Sequence, residues 1–114
     1  MPAKITNDLG TVEIQESVIA KIVGMSATEC SGVLGLAAAD GWSDLLKKDS
    51  VDKGVRIHIL EDQKVRIDIS LIVQYGVSIR AVAEMVISRI HYQMDKTTGL
   101  EVEDINVIIR GIRV

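Results

Sequence analysis

The stretch VRIHILEDQKVRIDISLIVQYGVSIRAVAEMV, residues 55 to 86, changes hydrophobic period once, and that change decides the fold. Up to Gln74 the period is two. Val55, Ile57 and Ile59 share one face, EDQ makes a turn, and Val65, Ile67, Ile69, Leu71 and Val73 share the facing side of a return strand, which predicts a β-hairpin. Beyond Tyr75 and Gly76 the period becomes helical, with Ile79, Val82, Ala83, Val86, Ile90 and Met94 on one stripe. Ser78 is placed as its N-cap, Gly99 as its C-terminal stop, and Lys96 suits the negative end of the helix dipole. Tyr75 and Gly76 therefore read as a structural hinge: Gly76 supplies a backbone angle that other residues resist, and the Tyr75 ring is expected over the sheet end.

The flanks extend the pattern. GTVEI (residues 10 to 14) alternates Val12 and Ile14 inward as a short half-buried strand. From Gln15 to about Glu29 the residues Val18, Ile19, Ile22, Val23, Ala27 and Cys30 fall on one helical stripe that would cover a sheet. SGVLGLAAADG (residues 31 to 41) breaks the period with Gly32, Gly35 and Gly41, and helical turns are expected around Trp42 to Lys48. In the last strand, LEVEDINVIIRGIRV, Leu100 and Val102 take even positions but Ile105, Val107 and Ile109 odd ones, so a bulge is predicted near Glu103 and Asp104. The expected fold class is α+β: a two-layer sandwich with a four-stranded sheet, in β-α-β-β-α-β order, and two long helices packed on one face. Residues 1–9 read as a flexible N-terminal arm and 10–114 as a single domain.

At 114 residues the chain is long enough for one core, burying roughly two-thirds of its unfolded surface. The apolar residues are Val, Ile, Leu and Ala, with no Phe and with Trp42, Tyr75 and Tyr92 as the aromatics. Stacking platforms for single-stranded nucleic acid are thereby disfavoured, and a net charge of -3 gives no general attraction to phosphate or anionic lipid. Cys30, the single cysteine, excludes an intramolecular disulfide and a cysteine-based zinc cluster, and suits a reducing cytosol as an inert buried thiol. MPAKITNDLG lacks the apolar region of a secretory signal, and no run approaches the roughly 18 apolar residues of a membrane span. A cytoplasmic protein without direct membrane insertion is expected.

Candidate chemistry is sparse. His58 points outward on its strand; Glu84, Ser88, His91 and Asp95 form a polar helical stripe that a solvated face explains without a third metal ligand. GVLG (residues 32 to 35) has the G-x-x-G spacing by which KH domains clamp a nucleic-acid backbone, but cations are missing beside it, and a tight turn with close backbone approach is the simpler reading. No nucleophile elbow, P-loop, dinucleotide fingerprint or H-E-x-x-H occurs. The expectation is a protein that is not an enzyme, with no cofactor, no metal site and no catalytic residue. One feature exceeds a bland surface: the outward sheet positions carry Leu60, Ile72 and Ile108 among Arg56, Arg66, Asp68, Asn106 and Arg110, with Ile112 and Val114 extending the apolar content to the terminus, and neighbours in a sheet form a patch. Either the Trp42, Leu45, Leu46 segment covers it, or it is an interface for a second copy or a protein partner.

In order, GTVEIQESVIAKIVGMSATECSGVLGL (residues 10 to 36), KGVRIHI (residues 53 to 59), VRIDISLIVQYGVSIRAVAEMV (residues 65 to 86) and MDKTTGLEVEDINVIIRGI (residues 94 to 112) resemble the alkaline shock protein family, the envelope stress response or general stress family of Gram-positive bacteria. The Tyr-Gly pair and the T-G-L before the last strand are its most distinctive parts. The resemblance implies a cytoplasmic, non-enzymatic adaptor or assembly protein of cell-envelope homeostasis. It also implies self-association, recruitment by a membrane-anchored protein, or a regulatory link to a dihydroxyacetone-kinase-like or fatty acid kinase neighbour. Gln15 and Arg80 depart from the Ser-Pro and proline that relatives often carry at these helix starts. A KH-like RNA-binding module is the rival reading.

Overall fold

The computed structural model describes residues 2–37, 54–61 and 63–114. Its elements are β1 (Ala3–Asn7), β2 (Gly10–Ile14), α1 (Glu16–Thr28), β3 (Val33–Leu36), β4 (Val55–Glu61), β5 (Lys64–Gln74), α2 (Ile79–Thr97) and β6 (Glu101–Arg113). The period-two run becomes the β4–β5 hairpin in the expected register, with Val55 opposite Ile69 and Ile57 opposite Ile67. Val65, Ile67, Ile69, Leu71 and Val73 are all fully buried, as the centre of a sheet requires.

β5 organises everything else. Along one side it pairs in parallel with β6 over its whole length, from Lys64 opposite Glu101 to Gln74 opposite Arg113. Along the other it pairs antiparallel with β4 at its start and with β3 at its end, where Leu71 lies opposite Leu36. Parallel neighbours need a crossover, and α2 supplies it. α1 packs on β3 and β4, α2 on β6, and the helices on each other, so the two-layer α+β arrangement is the observed one. Ser78 caps α2 by accepting from the Ala81 N–H at 3.3 Å. At the other end Gly99 has φ +71° and donates to the Met94 carbonyl, the glycine stop the pattern predicted. The bulge predicted near Glu103 is also present, as the register slips there between Val102 and Asp104.

Three expectations are corrected. The loose arm over residues 1–9 contains β1, which forms a separate two-stranded sheet with β2; Ala3 is fully buried, and the Asn7 side chain accepts the Leu9 and Gly10 N–H groups to close the turn. An Asx turn of this kind needs no apolar signal, so alternation alone missed it. GTVEI consequently leaves the main sheet, and Val12 is 54 % exposed where an inward side chain was expected. Its place is taken by β3, inside the segment read as an interruption. Val18 and Ile79, assigned to buried stripes, are exposed in the first turns of their helices. The helical turns expected at Trp42 to Lys48 lie outside the described residues.

Candidate functional site

Alternation sends the even-numbered residues of β4 and β5 to the sheet face opposite the helices. There the register sets Arg56 beside Asp68 and Asp68 beside Asn106, with His58, Arg66 and Asp104 on the next rung. Asp68 ties the three strands together: Oδ1 accepts from Asn106 Nδ2 at 2.8 Å and Oδ2 lies 2.9 Å from His58 Nε2. The Asn106 hydrogen bond, then that of His58, holds the Asp68 carboxyl below its ordinary value of 3.8. A depressed carboxyl stabilises the fold above that value, and the contribution is lost as pH falls below it through the folded pKa. Asp68→Ala is expected to cost about 1 kcal/mol at neutral pH and to flatten the acid limb of a urea-denaturation pH series. An unchanged acid limb would show that the cluster contributes nothing to stability.

The candidate apolar patch is not continuous. Leu60 is 40 % exposed and Ile108 37 %, but the Arg66 and Asp68 rungs separate them. Ile72, expected at the surface, is only 3 % exposed; its neighbours across the sheet are Gly35 and Gly111. Trp42 lies outside the described residues. Of the hinge pair, Gly76 has φ +93°, in the region that favours glycine. The Tyr75 ring, expected over the sheet end, is instead 70 % exposed, while the Tyr75 N–H donates to the Arg113 carbonyl at 2.8 Å.

The remaining candidates stand apart. His91 and Asp95 are both exposed on α2, and among the described residues no three His, Cys, Asp or Glu side chains are placed to hold a metal ion. Cys30 is buried, and that burial raises its thiol pKa. GVLG is no clamp: Val33–Leu36 is β3, and Gly32 has φ +91° with its α-carbon facing Val82 and Val77. The expected tight turn with close backbone approach is present at Gly32, where the Val33 N–H donates to the Cys30 carbonyl at 3.3 Å, whereas Gly35 lies within β3. Two shallow grooves of about 350 and 340 Å³ lie along β4 beside the start of α1 and between α1 and α2.

The feature that hydrophobic alternation could not locate is the outer edge of β6. Thirteen residues long, it pairs with β5 on one side, and among the described residues no strand pairs with the other. Whereas the inward residues of β5 are fully buried, none of β6 is; Ile105, Val107 and Ile109 are half-buried and Ile112 is 51 % exposed. Strand edges of this length offer a row of backbone donors and acceptors to another chain. Alternation identifies a strand but cannot say that it is last in its sheet.

Residues 4–114 match the sequence model of the alkaline shock protein family, described as having a cell envelope-related function. The chain is similar to the uncharacterized protein YloU of Bacillus subtilis (strain 168), 32 % identical over 118 residues, covering 100 % of this chain and 98 % of YloU. It is likewise similar to the uncharacterized protein Spy1614 of Streptococcus pyogenes serotype M6, 33 % identical, covering 100 % of this chain and 97 % of that one. A stress response regulator gls24 homolog of Streptococcus pyogenes serotype M3 is 25 % identical, covering 91 % of this chain and 59 % of the homolog. Among solved structures, MamM-CTD H285A shares the fold with a TM-score of 0.54 at 11 % identity, over 85 % of this chain and 98 % of that one. No helix among the described residues is long and apolar enough to cross a membrane.

Proposed function

This chain belongs to the alkaline shock protein family, with its cell envelope-related function, and from that premise we propose that it is a non-enzymatic cytoplasmic adaptor that docks through the open edge of β6. The occupant of that edge is a second copy or a protein partner, such as a membrane-anchored or kinase-family protein. The observation that carries the reading is β6 itself, half-exposed and, among the described residues, paired on one side alone. Strand addition obtains affinity from main-chain hydrogen bonds and specificity from alternate side chains, so it needs no prepared pocket. RNA binding has less support, because the glycines of GVLG face α2 and β5.

The test is affinity capture combined with size-exclusion light scattering, comparing the natural chain with Ile108→Lys/Ile112→Lys. Both positions are exposed, and lysines on an edge strand discourage pairing while leaving the fold intact. The natural chain is expected to form a complex, with itself or with a captured protein, that the double variant loses. A natural chain that is monomeric and captures nothing beyond a mock control would overturn the reading.

A further inference from the structure

The edge of β6 carries a charge pattern that selects its occupant. Its acidic residues, Glu101, Glu103 and Asp104, stand at the start, and its basic residues, Arg110 and Arg113, at the end, with no charge between Ile105 and Ile109. The register against β5 slips twice, once at Glu103 before Asp104 and once at Arg110 before Gly111. Both patterns are arranged about Val107. Resting on the docking reading, we propose that the occupant is a second copy of this chain, with β6 pairing antiparallel to its own counterpart across a two-fold axis at Val107.

In that register Glu101 lies opposite Arg113, Asp104 opposite Arg110, Ile105 opposite Ile109 and Val102 opposite Ile112. Each charged pair occurs twice by symmetry, and the two slipped segments, Glu103–Asp104 and Arg110–Gly111, meet each other. The faces agree as well: Asp104 lies beside Arg66 and Arg110 donates to Ser70, both on the face away from the helices, whereas Ile105 and Ile109 lie beside Ile67 and Leu71 on the helix face. A guanidinium carries five donors, so the Ser70 bond is compatible with a carboxylate beside Arg110. Slipping by two residues either way keeps at most one charged pair, an odd slip turns apolar residues to the wrong face, and a parallel arrangement sets like charges together. The product is one continuous sheet, closed by symmetry, in which the long edges are removed.

The measurement is sedimentation equilibrium of the full chain with Asp104→Arg, with Arg110→Asp, and with both. The natural chain is expected at twice the monomer mass. Either single reversal places like charges opposite each other and should weaken association at least about tenfold. The double reversal restores the dimer, and equimolar mixing of the two single variants yields a heterodimer, because their edges are complementary. Circular dichroism checks that each variant is folded. The natural chain provides a reading that needs no variant, since its dimer should weaken as salt rises. An association indifferent to both reversals and to salt overturns this register while leaving docking in place. A chain that stays monomeric up to millimolar concentration overturns the second copy as occupant, and the capture experiment with the lysine variant then decides the docking reading separately.

Discussion

Replacing Gly32 with alanine is expected to lower stability by about 3 kcal/mol and the melting temperature by on the order of 10 °C. Two costs coincide at this position. The backbone stands at φ +91°, and a Cβ placed there would lie 2.9 Å from Val82 Cγ2 and 3.4 Å from Val77 Cγ1. Val82 is buried on α2, and a valine in a helix has essentially one χ1 rotamer, so it cannot swing aside. The helix itself would have to shift. Gly76 provides the control: its φ is +93°, but an added Cβ there meets nothing within 4 Å. Gly76→Ala should therefore cost only the backbone strain, about 1 kcal/mol. Differential scanning calorimetry of both variants separates the two terms, and in the Gly32→Ala background Val82→Ala should recover part of the loss. Equal costs at the two glycines would show that close packing of α2 on this turn is not a constraint.

Leu71→Ala is expected to cost about 3 kcal/mol as well, for a different reason. Leu71 is fully buried and stands where three strands meet, opposite Leu36 of β3 and Ile109 of β6. Truncation would leave a cavity against both neighbours, and strands paired on each side limit how far the backbone can close over it. Urea denaturation should show a lower midpoint with an unchanged slope, the signature of lost stability without a change in the unfolding unit. A loss below about 1 kcal/mol would mean that the sheet relaxes into the space, contrary to the paired geometry.

These two positions also show what was readable in advance. Leu71 belongs to a run in which every second residue is apolar, and such a run buries the same face whatever its partners are. Its burial, the β4–β5 turn and the Val82, Val86, Ile90, Met94 stripe of α2 are local properties, as are the Ser78 cap, the Gly99 stop and the bulge at Glu103. Gly32 is different. Its proximity to Val82, 50 positions away, is a property of how α2 crosses from β5 to β6, and no spacing within GVLG announces it.

The candidate site divides along the same line. Outward positions on β4, β5 and β6 were assigned by alternation, yet Ile72 proved buried between two glycines, and the patch it was to join is interrupted by Arg66 and Asp68. The family, too, was legible in the ordered segments, and the family match over residues 4–114 bears it out.

The amino-acid order was sufficient for periods, caps and breaks, since each depends on residues within a few positions of one another, and hence for an α+β class with two helices over a sheet. Strand neighbourhood was not contained in it. That β1 and β2 leave the main sheet, that β3 enters it, and that β6 runs parallel to β5 with its far edge bare to the described residues all follow from competition among distant segments for the same backbone partners. That competition is settled when the whole core packs.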